Sequence, residues 1–266
     1  MPVERVVDAD DPRVEPFRDL RDRERGSRDG LFVVETRAVV RELLASRFRS
    51  RAILVNDAAL ASLEPIPPDV PVYVGPMPLL REIVGYNFHR GCLALGERMP
   101  DPSLDAILAS TPKRLVMLDD VTDPDNVGVI FRTARAFGAD GVLLSEGSAD
   151  PLYRKAIRTS MGATLLVPFA RFVEPLDTLS RLRAAGMTLL ALTPHDGVDI
   201  GTYVPPERAV LLLGTEGAGL RPGVTAAADV ALTIPMAAGI DSLNVATAAA
   251  IALHALRRVA TARHRL

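Results

Sequence analysis

From Arg114 onward the sequence alternates short leucine- and valine-rich runs with segments of helical period, and nothing else restricts the fold as much. The runs are RLVMLDD (114–120), GVLLS (141–145), TLLVPF (164–169), TLLALT (188–193), AVLLLG (209–214) and VALTIP (230–235). Strands that alternate with helices are joined by crossovers, so the expected result is a parallel sheet covered on both faces.

Ahead of this region lies a second pattern. GLFVVETRAVVRELLASRFRSRAILVN (30–56) reads as strand, helix, strand, with Val39, Val40, Leu43 and Leu44 on one helical face. A short strand VYV, a helix LLREIVGY and a strand RGCLAL complete an α/β unit over 1–98. Residues 99–113, rich in Pro and Ser around one short helix, read as a linker to a domain spanning 114–266. Within 1–30, Arg18, Arg21, Arg23, Arg25 and Arg28 interleave with acidic residues. That pattern suits a solvated helix laced with ion pairs, or an Arg-rich face that meets phosphate.

Composition narrows the function. At 266 residues, 48% hydrophobic and with a net charge of −2, the chain can bury a sizeable core and is not a generally basic nucleic-acid binder. A local basic patch remains open, since net charge does not report distribution. Cys92 is the one cysteine, so neither a disulfide framework nor a Cys-based zinc cluster is available. His89, His195 and His264 lack metal-ligand spacing, and no G-x-S-x-G elbow occurs. No apolar run reaches the roughly 18 residues needed to span a bilayer, and the first residues lack the apolar stretch of a secretion signal. The expectation is a soluble, cytoplasmic protein with no metal and no membrane contact.

Three loop-to-helix corners carry the chemistry. The first is DPDNVGVIFRTARAFGADG (123–141), where Asn126 suits an N-cap, Val127, Ile130, Phe131 and Ala134 form a buried stripe, and Arg132 and Arg135 lie off it. The second is LLLGTEGAGL (211–220), whose glycines are spaced G-x-x-G-x-G, the reverse of a dinucleotide fingerprint. It follows the fifth strand of the run, whereas a Rossmann-type domain opens its sheet with such a loop. The third, IPMAAGIDSLNVATAAAIALHAL (234–256), sets Asp241, Ser242 and Asn244 at the head of a helix that is apolar nearly all round. Capping explains one of these polar residues but not three, and such a helix is either deeply buried or packed on another subunit. His254 within it reads as a core or interface residue. Three corners that gather helix N-termini suggest one composite pocket.

Taken together, N-x-G-x-x-x-R-T-A, L-G-T-E-G-x-G-L and I-P-M-x(5)-S-L-N-V-A closely resemble the three motifs of the SpoU (TrmH-like) branch of the SPOUT RNA methyltransferases, in order, over 114–256. SMGA (160–163) resembles the family's intervening turn. GLFVVETRAVV resembles the start of its ribosomal-protein-like α/β substrate-binding domain, with Glu35–Thr36 where the family usually has Glu-Gly. The resemblance implies a deep trefoil knot in the C-terminal domain, a homodimer, S-adenosylmethionine as cofactor and RNA as substrate. It implies transfer of a methyl group to a ribose 2′-hydroxyl, in ribosomal RNA, with transfer RNA or an inactive RNA-binding assembly factor as the alternatives.

By motif match, cofactor contacts fall to Thr193, Gly214, Glu216, Ile234, Met236, Ser242 and Leu243, with Met236 and Leu220 as apolar walls. Catalysis falls to Arg132, Asn126, Ser242, Asn244 and Glu216. A guanidinium keeps its proton at neutral pH, so Arg132 is read as a clamp on the target phosphate, with Ser242 or a water it holds relaying the proton. That reading expects Arg132 to share one cavity with Gly214 and Leu243. Arg37, Arg47, Arg49 and Arg51, with Arg132, are expected to guide the RNA.

Overall fold

The computed structural model describes residues 3–18, 30–63, 65–86 and 89–257. They form two compact units, Met1–Pro100 with Leu152–Leu166, and Asp101–Pro151 with Val167–Leu266. Two segments differ from the sequence expectation. Leu152–Leu166 groups with the first unit, because the helix Arg154–Thr159 packs on a strand of that unit. The expected linker holds a helix whose Leu104 and Ile107 enter the core of the second unit.

The first unit contains β1 (Val3–Arg5), β2 (Leu31–Glu35), α1 (Arg37–Leu44), β3 (Ser50–Val55), β4 (Val72–Val74), α2 (Met77–Val84) and β5 (Cys92–Glu97). The sheet order is β1-β4-β3-β5-β2. β1, β4 and β3 run parallel, and β5 is antiparallel to both β3 and β2. β2 alternates, burying Phe32 and Val34, as a strand with one covered face must. β5, paired on both edges, buries Cys92 through Leu95. Burial pushes the Cys92 thiol from its ordinary 9.0 up to about 12. Glu35 binds the incoming helix: Arg154 Nη1 donates to its Oε1 at 2.6 Å, Tyr86 Oη donates to the same oxygen, and the Arg154 guanidinium lies 4.7 Å over the Tyr86 ring. Desolvation and that hydrogen bond push the Tyr86 hydroxyl well above its usual range.

The charged N-terminal stretch forms a 3-10 turn at Pro12–Phe17, with Asp11 as cap. Two prolines within six residues leave too few N–H donors for an α-helix there. Arg18 pairs with Asp10 at 3.2 Å, while Arg21, Arg23, Arg25 and Arg28 lie outside the described residues.

The second unit runs through α3 (Leu104–Ala109), β6 (Arg114–Asp119), α4 (Pro124–Ala136), β7 (Gly141–Ser145), β8 (Phe169–Phe172), α5 (Pro175–Ala184), β9 (Thr188–Leu192), β10 (Val198–Asp199), β11 (Ala209–Gly214), β12 (Val230–Thr233) and α6 (Val245–Leu256). Its sheet has the order β10-β12-β9-β11-β6-β7-β8, and every pairing is parallel. The strand expected at 164–169 starts instead at Phe169, after a helical turn at Ala163–Leu166. Pro168 cannot donate to a ladder, so pairing with β7 begins beyond it. β6 lies between β7 and β11, the point where strand order turns from one direction to the other. Open parallel sheets hold ligands at the strand ends beside such a point.

α4 and α6 pack side by side. Their N-termini meet at Asn126 and Asn244, joined by a 3.0 Å hydrogen bond, and their C-termini at Phe137 and His254, ring centroids 5.5 Å apart. The two helices are therefore parallel. α6 buries Val245, Ala246, Ala249, Ala252, Leu253 and Leu256, and turns Thr247, Ile251 and His254 outward. Of the two places expected for His254, core or interface, the core is excluded: its ring is exposed in the single chain and its Nε2 lies 3.2 Å from Arg257.

Candidate active site

A cavity of about 250 Å³ opens where β9, β11 and β12 end. β11 is buried along its whole length, β9 at its centre and β12 at Leu232, and each then releases its chain into a loop, so backbone groups crowd the rim. Thr193 and Pro194 come from β9, Gly214 to Gly217 and Gly219 from the loop after β11, and Ile234 and Met236 from the segment after β12. Ser242, Leu243, Asn244 and Val245 close it at the head of α6.

The glycine loop has a steric reason. A Cβ on Gly214 would lie 2.1 Å from the Gly219 carbonyl carbon and 2.2 Å from Leu220 N, both backbone atoms with no rotamer to yield. The loop closes on itself there, Thr215 N donating to Gly219 O at 3.2 Å and Gly219 N to Thr215 O at 3.0 Å. Its exit is fixed by a buried carboxylate at the end of β6. Asp119 accepts from Arg221 N at 3.2 Å and from Arg221 Nε at 2.8 Å, and its hydrogen bonds raise the guanidinium's affinity for its proton. The sequence reading missed Asp119 and Arg221. The only signal was a charged residue ending an apolar strand, which does not name a partner 102 positions away.

Glu216 is the focus of the polar groups. Asn126 Nδ2 donates to its Oε1 at 2.9 Å and Asn244 Nδ2 to the same oxygen at 2.6 Å. Asn244 Nδ2 also donates to Asn126 Oδ1, closing a three-membered ring of side chains. The opposite end of the Asn244 amide caps α6, its Oδ1 accepting from Ala246 N at 3.0 Å and Thr247 N at 3.1 Å. Both ends of this one amide are therefore committed. The positive ends of two parallel helices face the same carboxylate.

All seven expected cofactor contacts line the cavity: Thr193, Gly214, Glu216, Ile234, Met236, Ser242 and Leu243. Leu213, Thr215, Val245 and Ala248 join them without having been named from sequence. Leu220 does not; it packs on the core of the sheet. Asn126 is buried and reaches the site through Glu216, but it is not the helix cap. Asp123 takes that role, accepting from Asp125 N, because Pro124 suits the first helical position and starts the helix earlier.

Arg132 departs from expectation. Within one chain it is absent from the cavity lining, exposed on α4, and forms no hydrogen bond or ion pair among the described residues. Six positions along a helix turn it well away from the Asn126 face. The four N-terminal arginines are also dispersed. Arg37 lies at the start of α1 in a separate cavity, Arg47 donates to the Pro100 carbonyl at 3.3 Å and covers the Phe48 ring, Arg49 stands 3.9 Å from Glu97, and Arg51 is exposed on β3.

The cavity's donor set suits an amphipathic cation: apolar walls from Leu192, Leu213, Ile234, Met236 and Leu243, hydroxyls from Thr193, Thr215 and Ser242, and one carboxylate. Among the described residues no cluster of His, Cys, Asp and Glu could hold a metal ion, and no helix is long and apolar enough to cross a membrane.

This site, on a parallel α/β sheet, has counterparts among known proteins. The model of the SpoU rRNA Methylase family matches residues 113–254. An uncharacterized tRNA/rRNA methyltransferase of Mycobacterium tuberculosis (strain H37Rv) is 40% identical over 262 residues, covering 95% of this chain and 91% of that protein. The 23S rRNA (guanosine(2553)-2'-O)-methyltransferase RlmP of Bacillus subtilis is 27% identical over 258 residues, covering 96% of this chain and 100% of that one. The crystal structure of the SpoU methyltransferase AviRb from Streptomyces viridochromogenes, in complex with the cofactor AdoMet, matches with a TM-score of 0.77 at 25% identity, covering 93% of this chain and 97% of that one.

Fold and site thus define an RNA methyltransferase whose cofactor is S-adenosylmethionine. The chain belongs to the SpoU rRNA Methylase family.

Proposed function

We propose that this protein transfers a methyl group to a ribose 2′-hydroxyl of ribosomal RNA. One observation carries the reading: residues of the second and third motifs line a single cavity, and Asn126 of the first motif joins them through the closed Asn126–Glu216–Asn244 ring. The likeness to RlmP, over nearly the full length of both chains, supports the 2′-oxygen and the ribosomal substrate.

Leu213, Ile234, Met236 and Leu243 would hold the adenosyl part, with Thr193 and backbone near Gly214 as polar contacts. When bound, S-adenosylmethionine supplies an electrophilic methyl group on a sulfonium. Glu216 places negative charge at the cavity wall, and the two asparagines hold that carboxylate in one orientation without a proton to exchange. Ser242, exposed on the lining, is positioned to relay the proton: its hydroxyl oxygen takes the ribose hydroxyl's proton as its own O–H proton passes to solvent water. Leu213, Ile234, Met236 and Leu243 make part of the cavity wall apolar, which strengthens charge interactions beside it.

Arg132 keeps its role as phosphate clamp, delivered from a second copy. The outward residues of α6, Thr247, Ile251 and His254, form the face on which we place a homodimer contact, next to the exposed face of α4. A dimer packed there brings each Arg132 toward the partner's cavity. The C-terminal domain carries the family's trefoil knot in this reading, and the protein acts in the cytoplasm.

The test is methyl transfer from labelled S-adenosylmethionine to purified 23S rRNA, 16S rRNA and tRNA, with the product mapped by resistance of the 3′ phosphodiester to alkali. Alkali-resistant label in ribosomal RNA is expected. Label confined to tRNA, or on a base rather than a ribose, overturns the assignment.

A further inference from the structure

Consecutive residues where β6 ends anchor the two loops that meet in the polar ring. Asp119 fixes the exit of the glycine loop through Arg221, and that loop carries Glu216. Asp120 opens the turn that leads into α4, and α4 carries Asn126. β6 lies between β11 and β7 in the sheet, so one strand end reaches both neighbours.

Five non-glycine residues among those described have positive φ: Thr36 (79°), Thr111 (51°), Asp120 (59°), Met161 (53°) and Asp196 (59°). A β-branched residue such as Thr36 avoids that region, whereas aspartate and asparagine tolerate it. Of the five, Asp120 is the one that directly follows a strand of the second unit's sheet. Its side chain is tied to the neighbouring strand. Ser145 Oγ, at the end of β7, donates to Asp120 Oδ1 and accepts from Asp120 N, both at 2.8 Å. Ser148 Oγ lies 3.0 Å from Ser145 Oγ and 3.3 Å from the Leu118 carbonyl oxygen, and both serines are buried.

The loop after β7 fits closely round this carboxylate, since a Cβ on Gly147 would lie 2.5 Å from Asp120 Oδ1. The next residue is held as well: Ala149 N donates to the Val121 carbonyl at 2.9 Å, and Val121 is buried. The turn is thus fixed at two successive residues just before Asp123, the cap of α4. Asn126 needs that precision. Its 2.9 Å bond to Glu216 can lengthen by only about 0.3 Å before it leaves the normal range.

We propose that Asp120 is a positioning residue for methyl transfer: tied to Ser145, it fixes the entry of α4 and so the placing of Asn126 against Glu216. Its effect on turnover rests on the methyltransferase reading; its tie to Asn126 does not.

Three substitutions in the full chain separate side chain from backbone. Asp120→Asn keeps an acceptor for Ser145 and a residue suited to this φ. Asp120→Gly keeps the backbone alone, and Ser145→Ala removes the partner. At saturating S-adenosylmethionine, Asp120→Gly and Ser145→Ala are each expected to slow single-turnover methyl transfer about 10- to 100-fold, with Asp120→Asn within about twofold of wild type. The double variant Asp120→Gly, Ser145→Ala should be no slower than the worse single. Neither residue lines the cofactor cavity, so calorimetric affinity for S-adenosylmethionine should stay unchanged in all of them. The proposal falls if Asp120→Gly keeps the wild-type rate, if Asp120→Asn is as slow as Asp120→Gly, or if rate and cofactor affinity fall together. A urea-unfolding cycle of Asp120→Gly with Asn126→Ala tests the tie without RNA. The double variant's rise in unfolding constant should fall short of the product of the two single rises by about fivefold or more; multiplicative effects overturn the proposal. Absence of methyl transfer in the wild type would defeat the functional reading and leave that cycle standing.

Discussion

Asn244 performs two tasks with one amide, and two substitutions separate them. Asn244→Ser retains a good cap for α6, because serine and asparagine cap about equally well, but serine is too short to hold Glu216 and Asn126 together. Asn244→Ala loses both functions. A lost cap costs about 1 kcal/mol. A lost hydrogen bond to a charged group costs about 1.5–3 kcal/mol, and Asn244 and Glu216 are exposed, so the low end applies. The serine variant should therefore lose about 1.5 kcal/mol and the alanine variant about 2.5 kcal/mol. For a unit of this size that is a drop in Tm of about 3–6 °C and 5–10 °C respectively. If the ring of side chains positions Glu216, both variants should lose about 10²-fold in kcat at saturating S-adenosylmethionine, and alike despite their unequal stabilities. Urea unfolding and single-turnover methyl transfer give the two numbers. A serine variant with full activity, and an alanine variant whose loss merely follows its unfolding, would reduce Asn244 to a cap and refute the positioning role.

Further outcomes follow from the same geometry. Gly214→Ala must drive a methyl group into backbone 2.1 Å away, so the heat of S-adenosylmethionine binding should vanish, at about 1–3 kcal/mol cost in stability. A mixture of inactive Arg132→Ala and Glu216→Ala chains should regain about a quarter of wild-type activity if each Arg132 serves its partner, since half the dimers would carry one complete site; no recovery would confine Arg132 to its own chain. Thr36→Gly should raise stability by about 1 kcal/mol, the relief of strain outweighing the weak cap and the entropy of glycine, and a lower Tm would refute the strain. Cys92 should resist iodoacetamide at pH 8 until the protein unfolds. With a folded value of about 12 against an ordinary 9.0, burial of the neutral thiol contributes fully to stability below pH 9. That contribution is lost as pH rises toward 12, which alkaline unfolding of Cys92→Ala against wild type would read.

Much of the molecule was legible in local pattern. Apolar runs such as AVLLLG announce strands covered on both faces, and the spacing of Val127, Ile130, Phe131 and Ala134 announces a helix with one buried stripe. Both signals arise from single elements meeting a common core, so short-range periodicity suffices. The cavity residues were legible by another route. Loop-to-helix corners with free N–H groups suggested a composite pocket, and the resemblance of their motifs to those of the SpoU family supplied the individual residues, Thr193, Gly214, Glu216, Ile234, Met236, Ser242 and Leu243.

Pairings across long separations were decided only by the tertiary structure. No periodicity links Asp119 to Arg221, or tells that Asn126 turns inward to Glu216 while Arg132, six residues on, faces solvent. Nor does it show that Thr36 keeps a glycine-like backbone beside Met161 on a returning segment. Local sequence sets what each segment prefers, because its propensities and hydrophobic face act over one or two turns. Which side chains then share a charge, a proton or a cavity depends on how the strands are ordered in the sheet, and that order belongs to the whole chain.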